Sequence, residues 1–222
     1  MKILIVDDQR LVSEGLAALV ERLPERPTTR RANDGLEAVA AAREFEPDVI
    51  VMDLAMPGMN GLEATRQIVQ DAESPAAVIV LSVHAESEFV AEAMRCGAKG
   101  YLVKSAASDE LAAAIRRVLD GQRYLSPTIA TDALESFLEG KAGRSGDAQT
   151  VPAMGYALLS PRERQTLQLL ADGMSVKEIA FKLELSDKTV HAFRANLMEK
   201  LEIGSIAQLT KYAIKHGLTP LN

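Results

Sequence analysis

The chain is expected to fold as an α/β unit on a doubly wound, five-stranded parallel sheet, followed by a smaller all-α unit of four helices. Three observations carry this expectation. Over residues 1–121, short apolar runs alternate with segments whose apolar positions recur three and four apart. Between Gly140 and Gly155, helix-breaking residues (Gly140, Gly143, Gly146, Pro152 and Gly155) interrupt a stretch without periodicity. Beyond that stretch only helical patterns recur. The expected divisions are therefore 1–121, a connecting segment over 122–157, and 158–222.

In the first part the strand candidates are Ile3–Val6, Thr28–Arg31, Val49–Met52, Val78–Leu81 and Gly100–Val103, the second being the weakest. Between them, Leu11–Leu23, Gly35–Phe45, Leu62–Asp71, Glu86–Cys96 and Ser108–Leu119 carry the helical spacing. Ser126-Pro127 reads as the start of a further helix, expected to reach about Leu138. In the tail, Ser160-Pro161-Arg162-Glu163 combines an N-cap, a proline at the first helical position and a glutamate three residues on. That helix closes at Ala171-Asp172-Gly173. Ser175–Leu183 is a second helix, Asp187–Leu201 a third capped by Ser186, and Ser205–His216 a fourth stopped by Gly217 and Pro220. The second and third, with a turn near Glu184-Leu185, make a helix-turn-helix pair.

Composition narrows the classes. Hydrophobic residues make up 47% of the 222, enough for real cores, while aromatics are 4% and Trp is absent, so those cores are aliphatic. The single cysteine, Cys96, forms no internal disulfide and fits a reducing compartment. The opening MKILIVDD places carboxylates where an export signal would stay apolar, and no apolar run approaches the roughly 18 residues of a membrane span. The expectation is a soluble cytoplasmic protein with no membrane partner. The net charge of −6 argues against nucleic acid until it is divided. Residues 1–121 hold 13 Lys and Arg against 20 Asp and Glu, whereas residues 158–222 hold 9 against 7. A mildly basic tail permits DNA binding without demanding it.

In a parallel sheet the carboxyl ends of all strands open on one edge. Asp7-Asp8, Asp53, Ser82 and Lys104 all fall at or just after such ends. Crowded carboxylates repel and raise one another's pKa unless a cation intervenes, and Mg²⁺ is the hard ion that suits a few carboxylate oxygens. A strand-end Asp or Ser is by itself an ordinary turn former; five chemically matched residues at strand ends are a site. A cation beside Asp53 would let that carboxylate act as a nucleophile towards a phosphoryl group, with Ser82 and Lys104 holding the phosphoryl oxygens.

The motifs Val6-Asp7-Asp8, Asp53-Leu54-Ala55-Met56-Pro57-Gly58-Met59-Asn60-Gly61, Leu81-Ser82 and Tyr101-Leu102-Val103-Lys104 resemble the flavodoxin-like receiver domain of two-component response regulators. The resemblance implies phosphotransfer from a sensor histidine kinase to Asp53. It implies Mg²⁺ held by Asp8, Asp53 and the backbone carbonyl of Ala55, with Asp7 acting partly through water. It also makes Ser82 and Tyr101 a switch pair, the aromatic ring turning inward behind the moving hydroxyl. Many receivers have a proline after the lysine, in a cis bond; here Ser105 follows Lys104, and a cis bond before a non-proline residue costs about 2.5–4 kcal/mol. The sequence leaves the isomer open. Ala55 and His84 flank the reacting centre, and His84 is a candidate for tuning phosphate lifetime.

Leu159-Ser160-Pro161-Arg162-Glu163-Arg164, Gly173, Lys177-Glu178-Ile179-Ala180, Leu185-Ser186, Lys188-Thr189-Val190 and Lys200-Leu201 resemble the NarL/FixJ (LuxR-type) helix-turn-helix domain. Ile179, Ala180, Leu183, Val190, Leu197 and Leu201 are the expected buried faces. The resemblance places His191, Ala192 and Ala195 towards base edges and Lys177, Lys188, Thr189 and Arg194 towards phosphates of double-stranded DNA. His191-Ala192-Phe193 departs from the common pattern of a basic residue, Asn or Val, then His. The resemblance also makes the last helix, with Ile206, Leu209, Tyr212 and Ala213 along one stripe, a homodimer interface through Leu209, Tyr212 and Ala213; internal packing of that stripe is the alternative.

The leading reading is thus a non-enzymatic transcription regulator switched at Asp53, with a sensor kinase, DNA and a second copy as partners and RNA polymerase as a further candidate. A rival makes the tail a protein-contacting module of a phosphoryl carrier. A third, a haloacid-dehalogenase-like phosphatase, wants a second Asp two residues after the nucleophile, where this chain has Ala55.

Overall fold

The computed structural model describes residues 1–71, 76–131 and 159–215, apart from the side chains of Glu88, Pro161 and Lys215. The chain divides into two compact units, taken here in turn.

The first unit runs β1 (Lys2–Val6), α1 (Arg10–Glu21), β2 (Thr28–Ala32), α2 (Gly35–Phe45), β3 (Val49–Asp53), α3 (Gly61–Gln70), β4 (Ala77–Ser82), α4 (Ser87–Arg95), β5 (Gly100–Val103), a single 3₁₀ turn over Lys104–Ala106, and α5 (Ala107–Leu119). A further strand, β6 (Tyr124–Leu125), follows, and helix α6 begins at 127–131. All pairings are parallel, in the order β2-β1-β3-β4-β5-β6. The expectation of five strands is corrected to six. β6 pairs only Tyr124 with Gly100 and Leu125 with Tyr101, and two residues are too few for periodicity to show. The expected run of α6 to Leu138, the breaker-rich stretch 140–155 and the stop at Gly217 and Pro220 lie outside the described residues.

Strand burial explains which runs were conspicuous in the sequence. β3 is buried at all five positions because helices cover both faces of the sheet. Ile3, Ile5, Val49, Val51, Ile79, Leu81 and Leu102 pack with Leu16 and Val20 of α1 and Leu111, Ile115 and Val118 of α5. Alternate strand residues, among them Leu4, Ile50, Met52 and Val80, are buried on the opposite face, where α2, α3 and α4 pack in series. β2 is an edge strand and needs no apolar run. Its Arg30 and Arg31 instead pair with Glu44 of α2 at 2.8 Å and Glu14 of α1 at 3.2 Å, charges that blunt an open edge. The strand order reverses between β1 and β3, the switch point at which such sheets gather their ligands.

The second unit holds α7 (Pro161–Ala171), α8 (Val176–Leu183), α9 (Asp187–Lys200) and α10 (Ile206–Lys215). α7 has the expected capping box between Ser160 and Glu163. α8 has another between Ser175 and Glu178, and Ser186 caps α9 by accepting from the Thr189 N–H. Glu184 ends α8 in the left-handed region at φ 55°, making the sharp turn into α9. Ile179, Ala180, Leu183, Val190 and Leu197 are buried, as the spacing requires, while Leu201 is only half-buried. α10 packs against α7, and Leu209 and Ala213 are fully buried within the chain.

Candidate functional site

The chain direction of a parallel sheet brings five short segments to one edge: the end of β1, the end of β3, the end of β4, the end of β5 and the turn after it. Asp7 and Asp53 are buried there, 0% and 3% exposed, and Asp8 is half-buried. One carboxylate oxygen from each of the three lies within 4.8 Å of the others. The Lys104 ammonium sits between two of them, 2.9 Å from Asp7 Oδ2 and 2.9 Å from Asp53 Oδ2. Asp7 Oδ1 accepts from the Gln9 N–H at 2.9 Å, which holds the carboxylate in place.

Electrostatics follow from that crowding. Burial pushes the Asp53 carboxyl up to about 6; Lys104 opposes the rise, and the charges of Asp7 and Asp8 add to it. Asp8 is raised chiefly by burial and then by Asp7. Lys104 loses solvation, but its ion pairs with Asp53 and Asp7 outweigh that and hold it above the usual lysine range. One lysine therefore offsets only part of three carboxylates. Asp8 Oδ1 is buried without a hydrogen-bond partner, an oxygen with the chemistry of a cation ligand. Orphaned oxygen, hard oxygen donors and surplus negative charge together fit a divalent cation.

A glycine makes the floor of the site. The Gly61 N–H donates to the Leu54 carbonyl at 3.0 Å as the chain folds back behind Asp53. A Cβ on Gly61 would lie 1.9 Å from the Asp53 carbonyl oxygen, so no side chain fits without moving the residue that carries the carboxylate.

Ser82 is buried at the end of β4, and its Oγ accepts from the His84 N–H at 3.1 Å. Tyr101 is fully buried, with its ring already turned inward and its hydroxyl donating to the His84 carbonyl at 2.9 Å. Burial raises the Tyr101 phenol, and a hydrogen bond with Ser82 works against that rise. The Lys104–Ser105 bond, left open by the sequence, is trans, since no described peptide bond is cis. β6 pairs with β5 on this side of the sheet. Ser126 Oγ donates to Glu110 at 2.6 Å and accepts from the Val103 N–H at 3.1 Å, one residue before Lys104.

In the second unit, Lys177 is exposed on α8, and Lys188, His191, Ala192 and Ala195 are exposed on α9, with Thr189 and Arg194 half-buried. The Thr189 hydroxyl is engaged with Ser186 Oγ at 2.8 Å, so it serves the helix cap as well as any outside contact. The residues expected on a dimer surface are placed differently. Leu209 and Ala213 are core residues, because α10 uses that stripe to pack on α7, and Tyr212 is half-buried. The exposed residues of α10 are Ile206, Ala207, Gln208 and Lys211.

Comparison with known proteins bears on both units. Residues 3–116 match the response regulator receiver domain, and residues 157–213 match the luxR family of bacterial regulatory proteins. The chain is 38% identical over 218 residues to the response regulator UvrY of Escherichia coli, covering 98% of this chain and 95% of that protein. It is 35% identical over 219 residues to the oxygen regulatory protein NreC of Staphylococcus carnosus, covering 98% and 99%. Among solved structures, a LuxR-family two-component response regulator from Aurantimonas matches at a TM-score of 0.58 and 40% identity, over 62% of this chain and 97% of that one. The RcsB response regulator of Salmonella typhimurium matches at 0.55 and 25% identity, over 96% and 97%. Among the described residues, no helix is long and apolar enough to cross a membrane.

Proposed function

This chain belongs to the response regulators that join a receiver domain to a LuxR-type DNA-binding domain, and from that premise we propose that its transcriptional output is switched by phosphorylation of Asp53. The observation that carries the proposal is the Asp53 carboxylate, buried beside Asp7 and Asp8 and held 2.9 Å from the Lys104 ammonium. Asp53 is the nucleophile. It takes a phosphoryl group from the phosphohistidine of a sensor kinase, and the kinase histidine leaves with the bonding electron pair. Lys104 exchanges one carboxylate partner for the new phosphoryl oxygens, and Ser82 approaches from the end of β4. Asp8, Asp53 and the Ala55 carbonyl would hold Mg²⁺, with Asp7 beside them. When bound, the ion neutralises the negative charge that builds up during transfer.

The receiver reading covers the part expected to end at Gly121 and extends through β6; the stretch to residue 157 is the connector, and residues 158–222 are the DNA-binding domain. Lys177, Lys188, Thr189 and Arg194 meet DNA phosphates, and His191, Ala192 and Ala195 meet base edges, as a dimer in the cytoplasm. With Leu209 and Ala213 buried, the dimer contact on α10 falls to its exposed residues and to Tyr212. RNA polymerase is a further partner of the DNA-bound form.

The test is Asp53→Asn. Wild type treated with a small-molecule phosphodonor and Mg²⁺ should gain one acid-stable, base-labile phosphate and bind its own upstream DNA more tightly. The variant should do neither. A variant that still took up phosphate and responded like wild type would overturn the assignment.

A further inference from the structure

His84 occupies an unusual position between the two members of the switch pair. Its N–H donates to Ser82 Oγ at 3.1 Å, and its carbonyl accepts from the Tyr101 hydroxyl at 2.9 Å. Both polar groups of one residue's backbone are thus spent on the two side chains that respond to the site. Any displacement of Ser82 Oγ moves the His84 N–H or breaks its bond, and the same residue's carbonyl accepts from the buried Tyr101 hydroxyl. The imidazole stacks on the Phe89 ring at 4.3 Å between centroids and 19° between planes, and its Nδ1 lies 3.6 Å from the Glu86 carboxylate. Phe89 is a buried residue in the first turns of α4. Val83 beside it is exposed, so the loop has little other apolar anchorage at this point.

We propose that the His84–Phe89 stack is the latch that positions the His84 peptide between Ser82 and Tyr101, making these two residues positioning residues for the phosphorylation-driven switch. The inference rests on the reading of Asp53 as phosphoacceptor for its biological meaning, but the latch itself exists in the unphosphorylated chain. It differs from a role for the imidazole in phosphate hydrolysis, because it requires a flat ring at 84 and no titrating nitrogen. Stacked aromatic pairs shift equilibria by about 2- to 10-fold beyond their buried area, which is the range in which a two-position side chain is tuned.

The experiment uses the full chain labelled with 3-fluorotyrosine, the Tyr101 resonance being assigned by its loss in Tyr101→Phe. His84→Ala and Phe89→Leu should each move that resonance towards the solvent-exposed position, corresponding to a roughly 2- to 10-fold change in the inward fraction. The double variant should move it no further than either single one. His84→Phe should restore the wild-type position, because it restores the stack without the imidazole. Phosphate incorporation at Asp53 should persist in all of them. An unmoved Tyr101 resonance in both single variants, or a His84→Phe protein that behaves like His84→Ala, overturns the latch. Absence of phosphate on wild-type Asp53 would overturn the proposed function while leaving the Tyr101 measurement, made without phosphodonor, intact.

Discussion

At the edge of the sheet, three carboxylates and an ammonium are packed around one reacting oxygen, mostly out of water. On α9, Lys188, His191, Ala192 and Ala195 are exposed and Thr189 and Arg194 half-buried, and two of the three residues proposed to face bases are alanines. The first region is built from within the chain: its partners are set by strand ends, its three carboxylates are partly offset by Lys104, and its geometry tolerates little change. The second is half of an interface whose energetics are supplied by the molecule that covers it. Substitutions at the sheet edge should therefore act on stability and chemistry together, and those on α9 on binding alone.

The largest effect expected is that of Lys104→Met. Removing the cation leaves Asp7 and Asp53 buried without compensation, and the metal-free protein should lose about 3 kcal/mol of unfolding free energy. Mg²⁺ should restore part of it, which denaturant unfolding with and without the ion would register. An unchanged midpoint would mean that the carboxylates are better solvated than their burial indicates.

Next comes a pH effect on cation binding. Asp53 has its folded-state pKa raised from 3.8 to about 6, so in the metal-free fold it keeps its proton in a range where the unfolded chain has lost it. That contribution to stability is present in acid and is lost as pH rises through about 6. Cation binding has the opposite sense, because the ion displaces the proton. Mg²⁺ affinity should fall by about tenfold per unit below pH 6 and level off above it. Titration calorimetry in two buffers of different ionisation enthalpy would detect the released proton, and pH-independent affinity would break the assignment.

The smallest expected effects lie on α9. Lys188→Ala should weaken binding about equally on all DNA sequences and reduce the salt slope by about 1, whereas His191→Ala should leave the slope unchanged and relax sequence preference. With alanines at 192 and 195, that relaxation should be only several-fold, roughly 1 kcal/mol of discrimination. If both variants altered the slope alike, His191 would join the phosphate contacts and the contrast between the residues would fail.

What was readable in advance follows the same division. The five-strand, five-helix alternation was readable because buried parallel strands are apolar runs, and the strand-end residues because topology alone sends them to one edge. The Ser160 capping box was visible as a local pattern, and Ser175-Val176-Lys177-Glu178 carries the same pattern at α8. Features made by contacts distant in sequence were not readable. β6 is two residues long, and its pairing is fixed by β5 and by Ser126 bonding to Glu110 and Val103. The apolar stripe of α10 reads from sequence as a dimer surface with internal packing as the alternative, and its packing on α7 assigns Leu209 and Ala213 to the core. The spacing of Asp7, Asp8 and Asp53 said nothing about the unpartnered Asp8 Oδ1.

The short sixth strand also decides where the sheet can be severed. The Tyr124 N–H donates to the Lys99 carbonyl at 3.0 Å, and the Ser126 N–H to the Tyr101 carbonyl at 3.0 Å. A fragment ending at Gly121 would strip these donors from Lys99 and from β5, and leave the Val103 N–H without its Ser126 acceptor. The strand bearing Tyr101 would become a bare margin, open to pairing with another copy. Crosswise self-association of such a fragment would then report the cut and not the regulator. The smallest piece that keeps this margin sealed ends beyond Ser126.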